Sequence, residues 1–155
     1  MSDPPEARLD ALGLALPPVA APLAAYVPAV RSGRLVYTAG QLPLVDGKLL
    51  MTGRVGAQVS VEDGAALART CALNALAAVA SVTGGLSVVT RIVKIAGFVA
   101  SDPSFTGQPL VVNGASELML EVFGDAGRHA RSAVGVAVLP LDAPVEIELI
   151  AEVRD

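Results

Sequence analysis

Arg131 opens a run that is otherwise small and apolar, Ser132-Ala-Val-Gly-Val136, and Arg128 and His129 stand just before it. A guanidinium entering such a strand needs an anion, because burying an unpaired charge is costly. Its planar fork suits a carboxylate, held by two parallel N–H bonds. The anion could be a small ligand, or it could be Glu146, Glu148 or Glu152 of the chain itself. Periodicity alone favours the internal pair. His129 reads as a surface or capping residue, and Cys71, placed mid-helix among apolar residues, reads as an inert core thiol.

Other chemistries lack their residues. One His and one Cys do not make the ligand set of a typical zinc site, so no metal is expected. Gly84-Gly85 follows a helix rather than a strand, which removes the dinucleotide-binding pattern. No nucleophile elbow is present. Eleven Lys and Arg against fifteen Asp and Glu give a net charge of −4. With 3% aromatic residues, the chain lacks the basic patch and stacking residues of a nucleic-acid binder.

The elements that must position Arg131 follow from pattern and punctuation. Residues 26–30 and 34–38 read as strands joined at Ser32-Gly33, and Asp46-Gly47 turns the chain into a third strand over 48–53. Ser60 caps a helix over 61–83, with Glu62 and Asp63 in its first turn and Gly84-Gly85 at its end. Leu67, Cys71, Ala75, Ala78 and Val82 form its apolar face. A long strand covers 88–100, and a second helix covers 108–123 with Val111, Ala115, Leu118 and Val122 as its core stripe. Strands over 131–139 and 145–153 close the chain. In the last one Val145, Ile147, Leu149 and Ala151 alternate with Glu146, Glu148, Ile150 and Glu152. The order predicts an α/β (α+β) two-layer sandwich, one mixed six-stranded sheet with both helices on one face.

The 155 residues suit one domain, expected over 26–155 after an N-terminal extended arm over 1–25. Hydrophobic residues make up 53% of the chain, with a mean hydropathy of +0.60. Residues 11–30 carry no charge, but Pro17, Pro18, Pro22 and Pro28 would break a membrane-spanning helix. The acidic start does not fit a signal peptide. A cytoplasmic protein without a membrane partner is expected.

Four segments together resemble the YjgF/RidA family, reactive-intermediate deaminases once described as endoribonuclease L-PSP. They are Tyr26-Val-Pro-Ala-Val30, Gly33-Arg-Leu-Val-Tyr-Thr-Ala-Gly-Gln41, Ala130-Arg-Ser-Ala-Val-Gly-Val-Ala-Val-Leu-Pro140 and Val145-Glu-Ile-Glu-Leu-Ile-Ala151. The longer N-terminus and Val112-Asn-Gly-Ala-Ser116 look like a longer subgroup of that family. The resemblance implies a chorismate-mutase-like fold and a homotrimer with clefts between subunits. It implies hydrolysis of small 2-imino or enamine carboxylates to 2-oxo acids and ammonia, without metal or organic cofactor.

By the same resemblance, Arg131 grips the substrate carboxylate and Glu146 positions water, as the two catalytic residues. Tyr26, Ala39, Gly40 and Asn113 join Arg131 in binding substrate. Ala39 replaces a family serine, Ala133 a cysteine and Gly135 an acid, and the two smaller residues near Arg131 leave room for a bulkier ligand. A non-catalytic trimer that binds a small carboxylate accommodates Ala39 better. A ribonuclease ranks last, given the acidic charge and single histidine.

Overall fold

The computed structural model describes residues 3–19 and 25–155. A short helix α1 (Pro5–Ala11) precedes the hairpin of β1 (Ala29–Ser32) and β2 (Leu35–Thr38), then β3 (Leu44–Val45) and β4 (Lys48–Leu49). The long helix α2 (Val61–Thr83), strand β5 (Val89–Ala100), helix α3 (Gln108–Phe123), and strands β6 (Ala130–Val136) and β7 (Val145–Val153) complete the order. Five strands form one mixed sheet, β1-β2-β7-β5-β6. Only the β5–β6 pair is parallel; α3 bridges it as the crossover that parallel pairing requires.

The sheet has five strands, not the expected six. Asp46 and Gly47 take positive φ, 51° and 77°, which closes a tight hairpin. β4 therefore pairs with β3 in a separate two-stranded sheet. Both edges of β2 are already taken by β1 and β7. The side-chain amide of Asn74, buried on α2, donates to the carbonyls of Leu42 and Leu44 at 3.0 Å each, which pins this excursion to the helix.

Local chemistry sets the helix ends. Ser60 Oγ accepts from the Asp63 N–H at 3.0 Å, and Gly84 ends α2 with φ 82°, a left-handed cap open to glycine. Both helices cover one face of the sheet. Leu76, Leu118, Met119, Ile92, Ile95 and Ile147 are fully buried between the layers. Truncating any one of them to alanine would cost about 2–5 kcal/mol. Val82 departs from the expected apolar face and is 37% exposed. α2 is long and apolar enough to cross a membrane by length and composition, yet most of its apolar window is buried in this core.

The helices approach very closely at Gly114. A Cβ there would lie 1.9 Å from the Ala65 carbonyl oxygen, so only hydrogen fits.

The N-terminus differs from the extended arm expected. Pro5 begins a helix, as its fixed φ allows, and Leu9 is buried in the common core. Glu6 accepts hydrogen bonds from the N–H groups of Leu86 and Ser87 and from the Ser87 hydroxyl, at 2.7, 3.0 and 2.8 Å. The parts of the expected arm at residues 1–2 and 20–24 lie outside the described residues.

Candidate functional site

Strand β6 is the edge strand beside α3, and the register sets which way Arg131 points. Arg131 pairs with Ile95, which pairs with Leu149; all three therefore share the helix-covered face. Asn113 and Ser116 lie three apart on α3 and so occupy one helical face. They meet the guanidinium: Arg131 Nη1 donates to Asn113 Oδ1 at 2.7 Å and to Ser116 Oγ at 3.2 Å. Behind Ser116 stands His129, with Nε2 2.9 Å from the serine oxygen and Nδ1 2.6 Å from the Gly127 carbonyl.

A carbonyl only accepts, so Nδ1 carries the proton in the neutral ring. Nε2 then accepts from the Ser116 hydroxyl, which leaves a serine lone pair for Arg131. His129 is thus half-buried and bonded at both nitrogens, rather than a free surface residue.

The expected internal ion pair is absent. Glu146 pairs across the sheet with Phe98, and Phe98 with Val134, so the β7 glutamates face the side of the sheet away from the helices. Glu152 binds Arg34 at 3.5 Å. Among the described residues Arg131 has no carboxylate partner. Its hydrogen bonds there all run through Nη1.

Glu146 belongs to a second cluster. Its carboxylate lies over Gly40, where a Cβ would come within 1.8 Å of Oε1. Gly40 is needed here for space. Burial pushes the Glu146 carboxyl above its usual range, and the charge of Glu148 on the same strand face adds to the rise. Ala39 precedes Gly40; its N–H donates to the Pro28 carbonyl at 2.8 Å, which holds the Tyr26-to-Pro28 segment beside the loop. Tyr26 itself precedes β1 and is 48% exposed.

The six expected site residues therefore fall into two groups. Arg131 and Asn113 meet on the α3 side, while Glu146 and Gly40 meet beyond the opposite face, with Ala39 and the Tyr26 segment adjoining them. Two strand spacings and three residues separate Arg131 from Glu146, about 14 Å between Cα atoms.

The space at Gly135 is not free, because a Cβ there would meet the Gln108 amide at 2.7 Å. That amide donates to the Phe105 carbonyl and to Ser101 Oγ. Ala133 packs against the core. One hollow of about 240 Å³, lined by Tyr37, Lys94, Glu148 and Ile150, lies on the same open sheet face as Glu146, and a polar one of about 480 Å³ lined by Arg54, Asp102 and Asp142 lies elsewhere.

Ser116 and His129 were missed from sequence. The three-residue spacing of Asn113 and Ser116 was a usable signal, but only once α3 was placed against β6.

Comparison with known proteins bears on nearly the whole chain. Residues 6–153 match the family model described as YjgF/chorismate mutase-like, putative endoribonuclease. Protein TCP17 of Trypanosoma cruzi is 48% identical over 150 residues, 96% of this chain and 94% of that one. The Agrobacterium tumefaciens protein Atu1372 is 48% identical with a TM-score of 0.90, over 97% of this chain and 92% of its own. Escherichia coli TdcF, solved with bound serine, is 31% identical with a TM-score of 0.62, over 90% and 94% of the two chains.

Proposed function

Because the chain belongs to the YjgF/RidA family, with its chorismate-mutase-like fold, we propose that it hydrolyses small 2-imino or enamine carboxylates to 2-oxo acids and ammonia. One observation carries this reading. Arg131 is a half-buried guanidinium, oriented by Asn113 and Ser116, that lacks a carboxylate of its own among the described residues. A ligand carboxylate supplies what the fold withholds. TdcF with bound serine is a family relative holding a small carboxylate-bearing molecule.

The chemistry asks little beyond placement. Arg131 fixes the carboxylate, and Glu146 accepts a proton from water as the water oxygen bonds to the imine carbon. The imine nitrogen takes a proton from solvent to give a carbinolamine. Glu146 then returns its proton to that nitrogen, the C–N bond breaks, the hydroxyl proton passes to solvent as the carbonyl forms, and ammonia leaves with the 2-oxo acid. The raised carboxyl of Glu146 makes it a stronger proton acceptor than an ordinary carboxylate, as a general base requires. No step calls on a metal or an organic cofactor.

Arg131 and Glu146 lie on opposite faces of one sheet, so one chain does not bring both to one substrate. We place the complete site between two copies, with the Arg131 cluster of one facing the Glu146 cluster of the next. A head-to-tail contact of this kind closes into a ring where its rotation allows; the family resemblance supports a ring of three and a cytoplasmic protein.

The second reading is a trimer that binds a carboxylate without turnover. It is favoured by Ala39, which provides no hydroxyl beside Gly40. Release of 2-oxo acid from 2-iminopropanoate and 2-iminobutanoate generated in situ separates the two. Hydrolysis requires acceleration by the wild type that is lost in Arg131→Ala. Saturable carboxylate binding without acceleration supports binding alone.

A further inference from the structure

We infer that Ser116 and His129 are positioning residues that leave Arg131 one way to hold a carboxylate: side-on, through Nε and Nη2. The inference rests on the proposed role of Arg131 and adds the geometry of its grip. A guanidinium has five N–H groups, two of them on each terminal nitrogen. Both hydrogens of Nη1 are used, one on Asn113 Oδ1 at 2.7 Å and one on Ser116 Oγ at 3.2 Å. The end-on fork, which needs one hydrogen from each terminal nitrogen, is therefore closed. The remaining two-point edge is formed by Nε–H and the adjacent Nη2–H.

The direction of each bond keeps the arrangement fixed. Left alone, a helical serine turns its hydroxyl toward the carbonyl four residues back. Here the hydroxyl proton is drawn to His129 Nε2 at 2.9 Å instead. His129 is held in that tautomer by the Gly127 carbonyl at 2.6 Å. Four residues from α3, the following 3-10 turn (Gly124–Gly127) and the edge of β6 thus form one chain of bonds, Gly127 to His129 to Ser116 to Arg131. Losing a link frees an Nη1 hydrogen and lets the guanidinium rotate about its Nε–Cζ bond.

The test combines a spectroscopic measurement without ligand and steady-state kinetics. In protein labelled with ¹⁵N-arginine, the Arg131 signals are identified by their loss in Arg131→Lys. The wild type is expected to show separate Nη1 and Nη2 resonances, merging in Ser116→Ala and His129→Phe and separate again in Ser116→Thr. On the 2-imino acid substrates, Ser116→Ala is expected to raise KM about tenfold with kcat nearly unchanged, as for a lost hydrogen bond to a charged group, and Ser116→Thr restores it.

The double variant Ser116→Ala/His129→Phe is expected to be no worse than Ser116→Ala, since both break one chain. Merged resonances in the wild type, or additive losses with KM unmoved, would overturn the inference while leaving the hydrolase reading intact. Separate resonances in a wild type that neither binds nor turns over carboxylates would leave the positioning standing and sink the proposed function.

Discussion

Arg131 and Glu146 are carried by strands of the same sheet but project from its opposite faces, Arg131 in register with Ile95 and Glu146 with Phe98. Each has its own support: Asn113 and Ser116 for the guanidinium, and the bare backbone of Gly40 for the carboxylate. For the proposed hydrolysis, this division makes the site depend on two copies rather than one.

Gly40 gives the first test. In Gly40→Ala the new methyl occupies the place of Glu146 Oε1, and the flexible carboxylate moves rather than the backbone. The fold should stand, with a melting temperature close to wild type, while kcat falls about 100-fold, as for a displaced general base. Carboxylate binding, which the proposed mechanism assigns to Arg131, should barely change. An active Gly40→Ala would remove Glu146 from the mechanism.

The acid pair on β7 sets a pH dependence. As the proposed base, Glu146 must be ionised to accept a proton, and burial and then the Glu148 charge hold its pKa above the usual carboxylate range. The acidic limb of kcat/KM should therefore lie above that range. Glu148→Gln removes the repulsion and should move the limb to lower pH, leaving the part due to burial. A limb that stays in place in that variant contradicts the assignment.

Gly114 tests the packing. Gly114→Ala drives a methyl against the Ala65 carbonyl, a backbone atom, and should cost about 1–3 kcal/mol by chemical denaturation. A neutral result would mean that α2 and α3 are not packed this closely.

Glu6 ties α1 to the Leu86–Ser87 turn. Burial alone would raise its pKa, but hydrogen bonds from the Ser87 hydroxyl and the Leu86 and Ser87 backbone outweigh it and hold the carboxyl below its ordinary value. A lowered native pKa stabilises above the unfolded-state value and is lost as pH falls through the native one. Glu6→Gln should therefore melt a few degrees lower at pH 7, and the gap should close in acid. A gap that is the same at both pH values would contradict this.

Much of the fold was legible because its signals are local. Ser60, Gly84 and the Gln108-Pro109 start mark helix ends that need no distant partner, and the alternation from Val145 to Val153 states which face is buried. The β3–β4 excursion was misjudged because a turn fixes the hairpin but not which sheet it joins. That depended on β2 having both edges filled and on Asn74 reaching two carbonyls. Arg131 stands out from its small apolar surroundings, and family resemblance adds Asn113, Gly40 and the role of Glu146, but their division between two faces needs the β5–β6–β7 register. Ser116 and His129 acquire meaning only when α3 lies against β6. The short helix α1 was hidden by the proline-rich uncharged stretch after it.

The two-chain site is tested most directly by mixing two inactive variants. Arg131→Ala and Glu146→Gln chains, each inactive alone, are exchanged in equal amounts, and mixed assemblies are verified by mass. If Arg131 of one copy works with Glu146 of the next, a random ring has an intact site at roughly one contact in four, and 2-oxo acid release should recover to about that fraction of wild type. Mixed assemblies that form and stay inactive would contradict a site shared between copies.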